Sequence, residues 1–258
     1  MPYKNALEKF KKGINKGNFK NHIANGDILD PKDNAIFEDA VYAAYLDAAR
    51  TFTNIETCST AKQARKALAK KLQDYFSDKP CSAEENFDIN HNDWCEGLIS
   101  DFGRSDYAIK YGQAQKIVNM AFKYLYCLKD ACLYKDHFEY CHIALDSFTL
   151  EWIWRQTKPT SFNKYEAWSK LNYRKSPTSK KPGYLEIVDL WRNLWKSPSV
   201  APFACTPFQA EFIFWEEIQT ELAAEELLAC LNRIFAAPAL TISSSGLKST
   251  LADIKKLI

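Results

Sequence analysis

The sequence predicts an all-α fold, and three observations predict it. Apolar residues recur at helical spacing along most of the 258-residue chain. Period-two alternation never persists beyond a few residues, so no strand is expected. Only 8 glycines are present, too few for a fold built on many tight turns. The length allows a sizeable core. We read residues 1–258 as a single compact helical unit, with two lobes, 1–103 and 104–258, flanking a groove as the alternative division.

The elements follow from periodicity. Residues 3–15 place Ala6, Leu7, Phe10 and Ile14 on one face of a short amphipathic helix. A polar loop with Asn25-Gly26 and Asp30-Pro31 comes next. Residues 35–52 form a strong helix through Ile36, Val41, Tyr45 and Leu46, and 61–76 another, carrying a solvated row of Lys62, Arg65, Lys66, Lys70 and Lys71. The polar stretch 78–92 reads as a connection, with a short helix at 94–102 ending at Gly103. From 117 to 128 only Asn119 and Lys123 interrupt the apolar run, which predicts a helix buried nearly all round. Residues 129–140 read as a connection, and Asp146 as the N-cap of a helix running to Trp154. Two further helices are predicted at 185–195 and 208–235, and a short last one after Ser243-Ser244-Ser245-Gly246.

Composition narrows the function classes. No apolar run reaches the roughly 18 residues of a membrane span, and the lysine-rich beginning has no signal-peptide pattern, so a cytoplasmic protein without membrane contact is expected. The 8 cysteines lack C-x-x-C spacing and are expected to be reduced. Cys127, Cys132, His137, Cys141 and His142 match no common zinc spacing, and no metal is expected. Phosphate-loop, dinucleotide and serine-hydrolase motifs are absent. The four histidines are too scattered to suggest an acid–base site. Net charge is only +2, yet lysines crowd residues 4–20, and a second basic segment spans 155–181. There Arg155, Arg174 and Lys175 accompany Phe162, Tyr165, Trp168 and Tyr173, a mixture suited to a nucleic-acid backbone with exposed bases.

One constellation carries chemistry. Lys116 lies four residues after Gly112, at the expected start of the apolar helix, and Asp146 follows thirty residues later. A lysine and a carboxylate at the entrances of two buried helices make a nucleophile and its electrostatic partner. The plain structural reading makes Lys116, Asn119 and Lys123 a polar helix stripe and Asp146 a cap only. Lys123 is the second candidate nucleophile.

Gly112, Gln113, Ala114, Gln115, Lys116 and Asn119 resemble the hairpin-to-helix turn of the helix-hairpin-helix DNA glycosylases, which reads G-x-G-x-K-x-x-N in the endonuclease III branch. Ala114 stands at the second glycine, and Lys110-Tyr111 replaces the usual Leu-Pro. Leu145-Asp146-Ser147 is similar to that family's V-D-x-H aspartate. The archaeal 8-oxoguanine glycosylase branch, with its longer lysine–aspartate separation, matches comparably. The resemblance implies a helix-hairpin-helix turn at 106–128 and a DNA partner. It also implies excision of a damaged or modified base by Lys116 and Asp146, with backbone contacts from Gly112, Gln113, Ala114 and Gln115. The cysteine cluster of some endonuclease III relatives is absent, so no cofactor is expected. Excision needs an aromatic base pocket, which Phe148, Trp152 and Trp154, or the pair Trp191 and Trp195, are placed to supply. The alternative is a non-enzymatic helical protein that binds nucleic acid or protein, for instance in a phage–host conflict system.

Overall fold

The structure, a computed structural model, describes residues 2–49, 51–52, 59–103, 108–157, 165–176, 181–196 and 206–235. It is all-helical. The described α-helices are α1 (Pro2–Gly13), α2 (Phe19–Asn25), α3 (Asn34–Ala49), α4 (Ser59–Ser77), α5 (Glu84–Phe102), α6 (Tyr111–Tyr126), α7 (Lys135–Phe138), α8 (Ser147–Thr157), α9 (Tyr184–Lys196) and α10 (Pro207–Phe235). Among the described residues, none of the helices is long and apolar enough to cross a membrane. The last helix expected from the sequence, and Phe162 with its neighbours, lie outside the described residues.

Helix α6 is the axis. Every residue from Tyr111 to Tyr126 is buried. It packs most extensively on α3, then on α5, and one core runs from Ala6 to Ile218. The apolar face of α3 is rich in alanine (Ala40, Ala43, Ala44, Ala48), which lets the two helix axes approach closely. Farther along α6, Phe122 is enclosed by the rings of Tyr75, Phe76, Phe87 and Trp94, all 5.5–5.9 Å away between centroids.

Three expectations need correction. The polar stretch 78–92 is largely helix. Phe87, His91, Trp94, Cys95, Leu98 and Phe102 form a buried stripe along α5, and the intervening Asn and Asp residues dilute that signal without breaking it. Glu84 and Glu85 in its first turn favour the helix start, as acidic residues do near the positive end of the macrodipole. The loop after α1 contains α2, closed by Gly26 in the left-handed conformation at φ 70°.

The third correction concerns the motif. The helix begins at Tyr111, not beside Lys116. Lys110 is extended, and its amide donates to Gln113 Oε1 at 2.9 Å, which fixes the start there. Gly112 and Ala114 are therefore helical residues rather than hairpin glycines, and Lys116 sits in the second turn. Gly112 has another reason to be glycine. The chain at Trp168–Lys170 crosses it, its amide donates to Leu171 O at 3.0 Å, and a Cβ there would lie 1.8 Å from Trp168 O. We expect Gly112→Ala to lower stability by about 1–3 kcal/mol, read as a reduced denaturation midpoint with an unchanged slope.

Candidate functional site

Lys116 and Asp146 meet. The ammonium donates to Asp146 Oδ2 at 2.8 Å, and the two side chains are 8% and 10% exposed. They line a cavity of about 610 Å³ shared by α1, α6, α8 and α10. Phe10, Phe148, Phe212, Trp215 and Met120 form its apolar walls. Its rim carries the ion pairs Lys9–Glu216 at 2.5 Å and Lys16–Asp47 at 3.8 Å.

Asp146 does two jobs. Its Oδ1 accepts from the amides of Phe148 at 2.9 Å and Thr149 at 3.0 Å, which caps α8. Its Oδ2 accepts from Lys116 and from the Trp215 indole N–H at 3.2 Å. Burial works against the charge of Asp146. The Lys116 ammonium and these hydrogen bonds outweigh it, so the carboxyl stays below its ordinary range and is ionised.

The second lysine of α6 is almost fully buried. Lys123 pairs with Glu211 at 2.9 Å, with both side chains 1% exposed. Its ammonium also lies 4.6 Å from the Phe10 ring centre and 4.9 Å from that of Phe212. Lys123 also lines the cavity, but its partner Glu211 does not, whereas both members of the Lys116–Asp146 pair line it.

The segment 141–146 has no regular secondary structure and lies against α6, and side chains satisfy part of its backbone. Ile143 O accepts from Asn119 Nδ2 at 2.8 Å. The Ala144 amide donates to Glu211 Oε2 at 3.2 Å. Leu145 O accepts from Gln115 Nε2 at 2.9 Å, and its amide donates to Gln115 Oε1 at 3.3 Å. A buried irregular backbone needs such partners, which explains why α6 carries polar side chains on an otherwise apolar run.

The remaining expected residues separate. Gln113, Ala114 and Gln115 are buried along with Gly112, and Gln113 Nε2 donates to Thr51 O at 3.1 Å. All four are helical and buried, and the Gly112 amide is taken by Leu171 O. Phe148 lines the cavity. Trp152 does not: it packs in the core on Phe214 and Trp191, with centroids 4.2 and 5.3 Å apart. Trp154 packs edge-on to Tyr165 and is also outside the cavity. Trp191 and Trp195 stack on each other, and each meets Phe214 edge-on. Arg155 is held by Glu151 and, through both terminal nitrogens, by Glu225 at 3.0 and 2.9 Å, so it is spent on the acidic face of α10. Arg174 and Lys175 are exposed, away from the cavity lining.

Sequence reasoning missed Phe10, Glu211, Phe212 and Trp215. Glu211 had a signal: it is the one charge in the run from Phe208 to Trp215, and a buried acid asks for a buried base. It also separated His91 from His142, whose ring centres are 4.3 Å apart. Burial holds both below the ordinary histidine range. Among the described residues, no group of three or more His, Cys, Asp or Glu converges to hold a metal ion. No protein-family model, curated protein or solved structure matches this chain.

Proposed function

We propose that the protein cleaves an N-glycosidic bond in a nucleic acid, removing a damaged or modified base with Lys116 as nucleophile and Asp146 as the charge that faces the sugar. One observation carries this reading: a lysine–carboxylate pair at 2.8 Å opens onto a cavity walled by Phe10, Phe148, Phe212 and Trp215. The volume, about 610 Å³, is in the range of small-ligand sites and exceeds the needs of a single base. A flipped base stacks on such walls.

The chemistry balances within the pair. The C1′–N bond breaks, and the base leaves with the electron pair and takes a proton from the Lys116 ammonium. The cationic sugar is stabilised by the Asp146 carboxylate. The freed amine then bonds to C1′. The adduct loses a proton from nitrogen while the ring oxygen gains one, and the sugar opens to an iminium.

The reading owes nothing to a phosphate-binding turn at residues 112–115, because that stretch is covered. It is tested by base release from a panel of lesion-bearing oligonucleotides. Asp146→Asn retains most of the capping of α8, since Asn caps about as well as Asp. We expect it to keep the fold at a lower stability, because the largely buried Lys116 ammonium loses its counter-charge, and to lose about 10²–10³-fold in release rate. Equal rates for parent and variant would remove Asp146 from the reaction.

A second reading has its own observation. Both Asp146 oxygens are already engaged, by the α8 cap, Lys116 and Trp215. The pair would then be a strut joining α6, α8 and α10 in a helical binding protein. That reading predicts release by neither parent nor variant on any lesion.

A further inference from the structure

Outside the cavity lining, a buried polar network joins α5, α6, α9 and the segment 141–146. The groups that can only accept, the Ile143 carbonyl and the Asp88 carboxylate, set the direction of its hydrogen bonds from either end. Ile143 O can only accept, so the Asn119 amide nitrogen faces it at 2.8 Å. Asn119 Oδ1 then faces His91 Nε2 at 2.9 Å, and His91 must donate there. Asn119 Nδ2 also reaches the Tyr184 hydroxyl at 2.9 Å and Gln115 Oε1 at 3.0 Å. The Tyr184 hydroxyl also lies 2.8 Å from His142 Nδ1 and 3.3 Å from His91 Nε2. Asp88 Oδ1 can only accept, so His142 Nε2, 2.7 Å from it and 3.1 Å from Arg192 Nη2, carries the ring proton and Nδ1 accepts from the Tyr184 hydroxyl. Arg192 clamps Asp88 with two bonds of 3.0 and 2.7 Å.

Gln115 is fixed in the same way. Its Nε2 meets two carbonyls, Gly112 O at 2.8 Å and Leu145 O at 2.9 Å, which leaves its Oε1 for the Leu145 amide and Asn119. The residue gripped on both sides of its peptide is the one before Asp146. Both amides are fully buried, and so is Tyr184.

We propose that Gln115 and Asn119 are positioning residues for Asp146, and that the ordered chain Tyr184–His142–Asp88 fixes the direction of their bonds. Through Leu145 they set where the carboxylate stands relative to Lys116 and Trp215. They touch no reacting atom. The proposal rests on the reading of Asp146 as the charge facing the sugar, and displacing a positioned group by about 1 Å can cost on the order of 10²-fold in rate.

The test has an arm independent of activity. The Trp215 indole N–H donates to Asp146 Oδ2, so its NMR resonance reports the carboxylate's place. In Gln115→Met, which keeps length and removes both bonds to Leu145, that resonance should shift, and kcat should fall about ten- to a hundredfold with KM unchanged. Tyr184→Phe removes one oxygen and should shift the same resonance less. In the parent protein, nitrogen NMR should find both His91 and His142 protonated at Nε2. An unmoved Trp215 resonance in folded variants, the opposite tautomer of either histidine, or a moved resonance with unchanged kcat would overturn the proposal. A moved resonance in a protein inactive on every lesion would leave the positioning standing and sink the glycosylase reading alone.

Discussion

Lys123→Met should destabilise the fold by about 3–5 kcal/mol, because it strands a buried carboxylate. The substitution preserves most of the side-chain volume, so packing loss is small. Glu211 then keeps only the Ala144 amide, at 3.2 Å, in a site where its side chain is 1% exposed. It must take up a proton or remain an uncompensated charge, and either route costs stability. The double variant Lys123→Met with Glu211→Gln removes the charge problem and should recover most of the loss, since a buried pair replaced as a unit is often near neutral. Denaturant unfolding of the two variants measures this. A single-variant loss within about 1 kcal/mol would show that water reaches the pair.

The contrast between the two lysines of α6 organises the molecule. Lys123 is closed in by Phe10, Phe212 and Trp215 and by its own carboxylate. One turn-pair earlier on the same face, Lys116 shares its partner with Trp215 at the wall of the cavity. The sequence shows two lysines in an apolar helix and gives them equal standing. What separates them is the partner's neighbourhood, which comes from α10, far along the chain.

The all-α class was legible because helical periodicity is a local property. The contact between Lys116 and Asp146 was suggested by residue type alone, since each is a charge placed against an apolar run. The helix start was misplaced because Gln113, reaching back to Lys110, is an ordinary glutamine in sequence and becomes a cap only through its geometry. The role of Gly112 was misassigned for a related reason. Glycine marks a close approach, and only the fold says that the approaching group is Trp168 O rather than a phosphate. Trp152 and Trp154 went to the core and to Tyr165 because alternate faces of α8 meet different neighbours. A tryptophan count does not distinguish those faces.

Lys116→Gln should abolish covalent capture of substrate while leaving nucleic-acid binding nearly intact, because phosphate contacts, not the amine, position a polynucleotide. The variant keeps polarity and leaves Asp146 its α8 cap and the Trp215 hydrogen bond, so the fold is retained at some cost in stability from the carboxylate left without its counter-charge. Base release should fall with the trapping. Borohydride trapping against a panel of lesion-bearing oligonucleotides, followed by peptide mapping, puts the central claim to the most direct test. The account predicts a reduced adduct on Lys116 in the parent and none in Lys116→Gln. An adduct that persists in Lys116→Gln, or one that maps to another lysine, would contradict it.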